Sequence, residues 1–226
     1  MCRLLVTDGY VVTGTTRSRE KIPALRELGV EPVVVDVFDA DKLRAAVVKS
    51  KAEIVIHQLT DLPPGLDPAK MADALVRNAR LREAGTHNLV AAAMAAGVRR
   101  MVAQSLAMAY APGPLPHDEN APLNVAAADE LAALSARAVA SLEQQVLSGP
   151  FEGIVLRYGK LYGPGTGFDA PQPAGAVHVD AAADAARRAA SRGPAGIYNI
   201  AEDDGFVSIA KAREALHWNP DFRMTE

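Results

Sequence analysis

The sequence predicts one α/β domain with a doubly wound parallel sheet. Three observations predict it. Short β-branched runs alternate with Ala-rich amphipathic stretches, Pro/Gly-rich loops follow directly on two of those runs, and no repeat or low-complexity linker divides the chain. Strands covered on both faces read as short apolar runs rather than as an alternation. Such runs fall at Arg3–Thr7, Val11–Thr15, Pro32–Asp36, Ile54–Gln58, Arg100–Gln104, Gly153–Arg157 and Ile197–Ile200. Between them, Ser18 is placed to cap a helix ending at Gly29, Asp39 to cap another running to about Lys49, and Gly97 to close a third. Longer helices are expected from about Ala69 to Ala96 and from about Ala126 to Leu147. Pro32–Asp36, Ile54–Gln58 and Arg100–Gln104 are expected as parallel neighbours, because their connections are helical and long enough for crossovers.

The 226 residues are enough to bury a full core, and 49% hydrophobic with 23% charged residues are globular proportions. A net charge of −3 leaves no excess of basic residues to neutralise a phosphate backbone, so nucleic acid is not expected as a partner. The longest apolar stretch, around Leu89 to Val98, is too short to span a bilayer, and the first residues lack a signal-peptide pattern. No membrane partner is therefore expected, and the cytoplasm is the expected compartment. Cys2 has no second cysteine to pair with, and His57, His87, His117, His178 and His217 are scattered, so no metal site is expected.

The loops Pro112 to Pro122 and Gly163 to Gly175 each follow a predicted strand. Ligands of open α/β sheets bind at the carboxyl ends of strands, so these loops are either walls of a site or ordinary surface connections.

Ser105 and Tyr110 follow the strand Arg100–Gln104. Later come Leu156-Arg157-Tyr158-Gly159-Lys160-Leu161-Tyr162-Gly163-Pro164-Gly165, then His178-Val179-Asp180 opening an Ala-rich helix, then the strand Gly196-Ile197-Tyr198-Asn199-Ile200. In that order, with Gly85-Thr86 and Asn88-Leu89, they resemble the extended and atypical short-chain dehydrogenases of the NAD(P)-dependent epimerase/dehydratase family. The resemblance covers most of the chain. It implies a single Rossmann-type dinucleotide-binding domain over residues 1–226 with a small substrate-side portion from about 157 to 226. It also implies a small-molecule substrate and admits a homodimer through two long helices.

Two parts of the family pattern are missing. A dinucleotide fold needs a glycine-rich turn after its first strand, so that backbone N–H groups and a helix N-terminus meet the pyrophosphate. Here Leu4-Leu5-Val6-Thr7 is followed at once by Asp8-Gly9-Tyr10 and then by Val11 to Ser18, which resembles the second strand of relatives. So short a link cannot form a parallel crossover, and the first helix with its glycine loop is expected to be absent. Asp8-Gly9 is a hairpin signal, which makes an antiparallel hairpin one outcome. The favoured outcome is a parallel pair with a segment missing between Thr7 and Asp8, because Asp8-Gly9-Tyr10-Val11 reads like the end of the family's first helix.

The catalytic pattern also departs. Counting back from Glu143, the resemblance places the family's Tyr and Lys at Ser135 and Val139, and no Tyr-x-x-x-Lys occurs in the chain. The assisting Ser/Thr falls at Leu106, one residue past Ser105, an offset that a one-residue bulge would correct. Ser105 and Tyr110 are then the expected catalytic residues, Tyr110 as the acid, against a packing role for its ring.

For the cofactor, the resemblance assigns Thr16, Arg17 and Ser18 to the ribose end. Arg17 stands where an acidic residue would select NAD(H), so NADP(H) is favoured over NAD(H), with Arg17 clamping the extra phosphate. Asp36 and Val37 would meet the adenine. His57, Gln58 and Leu59 would line the ribose and nicotinamide, with Tyr162, Gly163 and Pro164 on the far side. Arg157 and His178 are the substrate-binding candidates, Arg157 having an ion pair with Asp180 as its alternative. Two functions fit. One is an NAD(P)-dependent oxidoreductase or epimerase/dehydratase-like enzyme acting on a small carbonyl, hydroxyl or sugar-nucleotide substrate. The other is a non-catalytic dinucleotide-sensing or scaffold protein of the same fold, which rests on Ser135 and Val139.

Overall fold

The computed structural model describes residues 1–224. In chain order the elements are α1 (Cys2–Thr7), β1 (Thr13–Thr16), α2 (Ile22–Glu27), β2 (Glu31–Val34), α3 (Ala40–Ser50), β3 (Ile54–His57), α4 (Met71–Arg80), a π-turn (Leu81–Gly85), α5 (Thr86–Ala95), β4 (Arg100–Leu106), α6 (Glu130–Leu147), β5 (Glu152–Tyr158), β6 (Lys160–Tyr162), β7 (Ala176–His178), α7 (Val179–Ala189), β8 (Gly196–Ile200) and α8 (Ala210–Leu216).

The sequence predicts parallel strands flanked by helices, and each of these strand ladders is parallel. β1 pairs with β2, β3-β4-β5-β8 form the main sheet, and β6 pairs with β7. The side chains of β4 and β5 alternate between two cores. Met101, Ala103 and Val155 meet Leu43, Val47, Leu89, Leu142 and Val146 on one face. Val102, Ile154 and Leu156 meet Ala181, Ala185, Ala189 and Leu216 on the other. Coverage on both faces is why these strands are apolar throughout. One expected neighbour relation fails: Pro32–Asp36 does not lie beside Ile54–Gln58, because β2 pairs with β1 and neither pairs with β3 among the described residues.

The N-terminus corrects the sequence reading. Arg3–Thr7 is helix, not strand, so Arg3–Thr7 and Val11–Thr15 form neither a parallel pair nor a hairpin. Gly9, at φ +88°, follows the last helical residues. Its N–H donates to the Val6 carbonyl and that of Tyr10 to the Leu5 carbonyl, the double bond of a Schellman stop. Asp-Gly serves as well for a helix stop as for a hairpin, and here Leu5 and Val6 bury a helical face, with Val6 against Gly29. From this helix the chain passes through residues 8–12 into β1. Asp8 accepts from Arg187, whose guanidinium also holds the fully buried Asp184, and so α1 is tied to α7.

Elsewhere the helix signals hold. Asp39 accepts from the Lys42 N–H, and Gly97 adopts φ +69° after α5. Ser18 is the exception: its side chain caps nothing, and only a short turn and α2 precede Gly29. The helix expected from Ala69 to Ala96 forms from Met71 to Ala95 but widens to a π-turn at Leu81–Gly85. Among the described residues no helix is long and apolar enough to cross a membrane.

Candidate functional site

The carboxyl ends of β1, β2, β3 and β5 carry most residues assigned to cofactor and substrate. At β1 the Thr16 hydroxyl accepts from the Ser18 N–H, forming a tight turn that leaves Arg17 half exposed. Arg17 reaches Asp61 at 3.2 Å, and Arg77 reaches the same carboxylate at 3.3 Å. Asp61 is held in turn because its N–H and the Thr60 hydroxyl both donate to the buried Asn78 Oδ1. At β2, Asp36 accepts from the Phe38 N–H, and Asn88 donates to the Val37 carbonyl. Val37 lies against Gly85 of the π-turn, where a Cβ would come within 3.2 Å of its methyl group.

His57 ends β3 in full burial. Its Nδ1 accepts from the Leu59 N–H, so Nε2 carries the proton and donates to Thr86 Oγ1 at 2.9 Å. Burial, and secondarily the nearby Arg82, lower its pKa from 6.5 to about 4. It is therefore neutral at physiological pH. Gln58 donates weakly to the Tyr158 hydroxyl at 3.4 Å. Both residues line an open cavity of about 230 Å³ with Met1, Leu161, Val179 and Ala182, at the strand ends where open α/β sheets bind ligands.

Arg157 and Ser105 lie elsewhere than expected. They are cross-strand neighbours on β5 and β4, both directed at α6, where the Glu143 carboxylate takes two of the three Arg157 nitrogens, Nη2 at 2.7 Å and Nε at 2.8 Å, and the Ser105 hydroxyl at 2.6 Å. All three residues are buried. The register from Arg100 to Leu106 is continuous, so there is no bulge to bring Ser105 into the catalytic position. Arg157 neither faces a ligand space nor pairs with Asp180, and Ser105 is a partner of Glu143 rather than a catalyst. His178 is likewise held. Its Nδ1 accepts from the Asp180 N–H to cap α7, its ring stands on edge to Tyr162, and Gly163, at φ +104°, has no room for a Cβ, which would meet His178 Nε2 at 2.6 Å. Tyr162 donates to Glu202 and accepts from Arg223, so its hydroxyl faces the C-terminal segment.

Tyr110 donates its hydroxyl to Asn199 Oδ1 at 2.7 Å, its ring stacks on His117, and the Arg157 guanidinium lies over it at 4.8 Å. Burial pushes its pKa above the ordinary tyrosine value. These contacts agree with the packing role for the Tyr110 ring, the alternative to its expected role as the acid. Tyr110→Phe is expected to lose about 1–3 kcal/mol of unfolding free energy, because Asn199 loses its donor, while turnover per folded molecule stays unchanged. Denaturant titration beside an activity assay checks this, and a rate loss of ~10²-fold or more in a folded variant would restore the acid role.

At the positions that correspond to the family's Ser and Lys, Leu106 and Val139 pack together with Ala109 and Ala136 in one apolar cluster. Ser135, at the Tyr position, accepts from Arg82 at 3.3 Å. Arg82 and Asn78 were not singled out from the sequence, and Thr86 only as part of the Gly85-Thr86 pair in the family resemblance. The available signal was their helical spacing, which puts Arg82 and Thr86 four residues apart on one face.

A parallel α/β layout with its polar side chains at the strand ends defines a nucleotide-cofactor protein of the Rossmann class. Residues 1–147 match the NAD(P)H-binding family model, and the chain belongs to that family. It is 38% identical over 237 aligned positions to a 3-diazoavenalumate denitrifying reductase from Streptomyces sp., covering 96% of this chain and 74% of the relative. Its fold is similar to the UDP-glucose 4-epimerase of Thermotoga maritima (TM-score 0.78, 16% identity, 97% of this chain and 88% of that one). It is also similar to Bordetella bronchiseptica WbmG in complex with NAD (TM-score 0.72, 15% identity, 99% and 86%). The likeness to the short-chain dehydrogenase and epimerase fold is thereby established.

A nicotinamide dinucleotide is the cofactor this family implies. On the resemblance, Arg17 and the Asp36-Val37 segment would hold its adenosine end and Gln58-Leu59 its nicotinamide end; Arg17 is exposed and paired with Asp61, the Val37 carbonyl accepts from Asn88, and Gln58 lines the cavity. Among the described residues no glycine-rich turn joins a strand to a helix to receive the pyrophosphate.

Proposed function

We propose that this protein is an NAD(P)H-dependent reductase that replaces the nitrogen of a small diazo carboxylate by hydrogen. The observation that carries the reading is the apolar packing of Leu106 and Val139, where relatives of the resembled family place their Ser and Lys, with only Ser135 at the Tyr position. The similarity to a denitrifying reductase of a diazo substrate agrees with it. When bound, a reduced nicotinamide supplies a hydride. Where the diazo group sits on an aromatic ring it is an aryl diazonium, and at that carbon the C–N bonding pair leaves on dinitrogen while the hydride brings the pair for the new C–H bond. The balance is complete with no proton taken or given. A carbonyl reduction, in contrast, must protonate the developing alkoxide.

The residues of this chain then have three tasks. Gln58 and Leu59 orient the reacting ring, the Leu106–Val139 cluster excludes water from a reactive carbon, and neutral His57 with Thr86 fixes the end of β3. Residues 1–226 act as one domain, with the portion from about 157 onward forming the substrate side. Arg17 favours NADP(H), because its exposed pair with Asp61 is weak and exchanges for a phosphate at a cost of about 0–1 kcal/mol. Arg17→Ala is expected to weaken NADPH binding by roughly ten- to a hundred-fold and leave NADH nearly unchanged, as read by calorimetry. Equal losses for both cofactors would remove Arg17 from phosphate recognition.

A second reading, a dinucleotide sensor, is favoured by Ser135 and Val139 at the Tyr and Lys positions. NADPH oxidation assayed with a diazo carboxylate and with a carbonyl panel separates the two. The reductase turns over the diazo compound alone, and the sensor binds NADPH but turns over neither.

A further inference from the structure

We propose that Arg82 is the anion-recognising residue of the substrate site and that it selects an organic carboxylate. This rests on the reductase reading for the identity of the site but on Arg82's own surroundings for the chemistry. Arg82 sits in the π-turn Leu81–Gly85, between α4 and α5, and a single-turn widening of this kind is a recurrent feature of functional sites. The turn is anchored from three sides. Gly85 lies against Val37 at the end of β2, Thr86 holds His57 at the end of β3, and the Glu83 carbonyl accepts from Gln145 of α6. The guanidinium is thus presented between the carboxyl end of β3 and α6, beside Ser135 and in the electrostatic range of His57.

What sets Arg82 apart is its lack of a counter-charge. The other shielded arginines have one: Arg157 has Glu143, Arg100 has Glu152, and Arg187 and Arg188 share Asp184. Arg82 has one neutral hydroxyl at 3.3 Å and, among the described residues, no ion pair. Burial alone accounts for the lowering of its pKa, with no carboxylate opposing it. A guanidinium stays protonated even so, and a partly desolvated cation without a partner carries a penalty of several kcal/mol that an incoming anion relieves. One N–H of the planar fork is directed at Ser135, which leaves donors in the parallel geometry that a carboxylate takes in bidentate fashion. A lysine, a point charge, would not impose that geometry.

The experiment is a calorimetric titration of the intact protein with cinnamate and with cinnamamide, each with and without saturating NADPH, for wild type, Arg82→Gln and Arg82→Lys. Wild type is expected to bind cinnamate at least ten-fold more tightly than the amide. Arg82→Gln should lose that preference while keeping its NADPH affinity and a thermal midpoint no lower than that of wild type, and Arg82→Lys should recover part of the preference. Equal binding of the two probes by wild type, including binding of neither, would overturn the proposal. So would a preference that survives in Arg82→Gln, or a loss in that variant of NADPH affinity instead, which would make Arg82 a cofactor ligand. Carboxylate selection by wild type with no turnover of a diazo compound would sink the reductase reading alone and leave Arg82's role standing.

Discussion

Replacing Glu143 by Ala is expected to lower the unfolding free energy by about 3–5 kcal/mol, the cost of leaving a buried charge without its partner. Glu143 is 5% and Arg157 3% exposed, and the carboxylate satisfies Arg157 twice and Ser105 once. Against a typical domain stability of about 5–15 kcal/mol, that loss brings the protein close to unfolding. Urea titration checks it. The double variant Glu143→Leu with Arg157→Met should recover most of the loss, because it removes both charges and keeps the volume. A single variant within 1 kcal/mol of wild type would show that water reaches Arg157 and that the triad is not closed. The same triad explains why Ser105 is unavailable for chemistry.

The second large effect is a pH dependence set by His57. Its folded-state pKa, about 4, lies below its ordinary value of 6.5, so between those values the unfolded chain binds more protons than the folded one. Stability is therefore full above pH 6.5 and is lost as pH falls, by about 1.4 kcal/mol per unit. The loss levels off near pH 4 after a total of about 3 kcal/mol. His178, whose pKa is lowered by burial and by Arg223, adds to the slope in the same direction. Comparing wild type with His57→Gln by denaturant titration from pH 7 to 5 isolates the His57 part. The variant should show the shallower slope, and an unchanged slope would mean that the ring is protonated in the folded protein, with Leu59 no longer donating to it.

The middle and C-terminal strands were legible because apolar runs flanked by helix caps state their own type. Arg100–Gln104, Gly153–Arg157 and Ile197–Ile200 fall within β4, β5 and β8. Arg3–Thr7 was misread because Leu4-Leu5-Val6-Thr7 is apolar in both periods, and so short a run does not distinguish strand from helix. The helical stop at Gly9 becomes visible only from its two hydrogen bonds. At the site, the loss of the Tyr and Lys could be read directly from Ser135 and Val139, whereas what replaced them could not. The Leu106–Val139 contact joins β4 to α6, and the Arg82–Ser135 contact joins the π-turn to α6, so each depends on tertiary packing that no local spacing encodes. Arg157 and Ser105 were assigned to ligand and chemistry because their register against α6 is invisible in one dimension.

Hydride delivery without a protein acid is tested most directly by following the label from NADPH deuterated at the transferable C4 position into the product of a diazo carboxylate. A reductase of the kind proposed places one deuterium on the carbon that lost nitrogen, releases one dinitrogen per NADPH oxidised, and has a rate nearly independent of pH between 6 and 8, because no protein acid gives up a proton in the step. Solvent hydrogen on that carbon, product that retains its nitrogen, or a rate that follows a single ionisation in this range would contradict it.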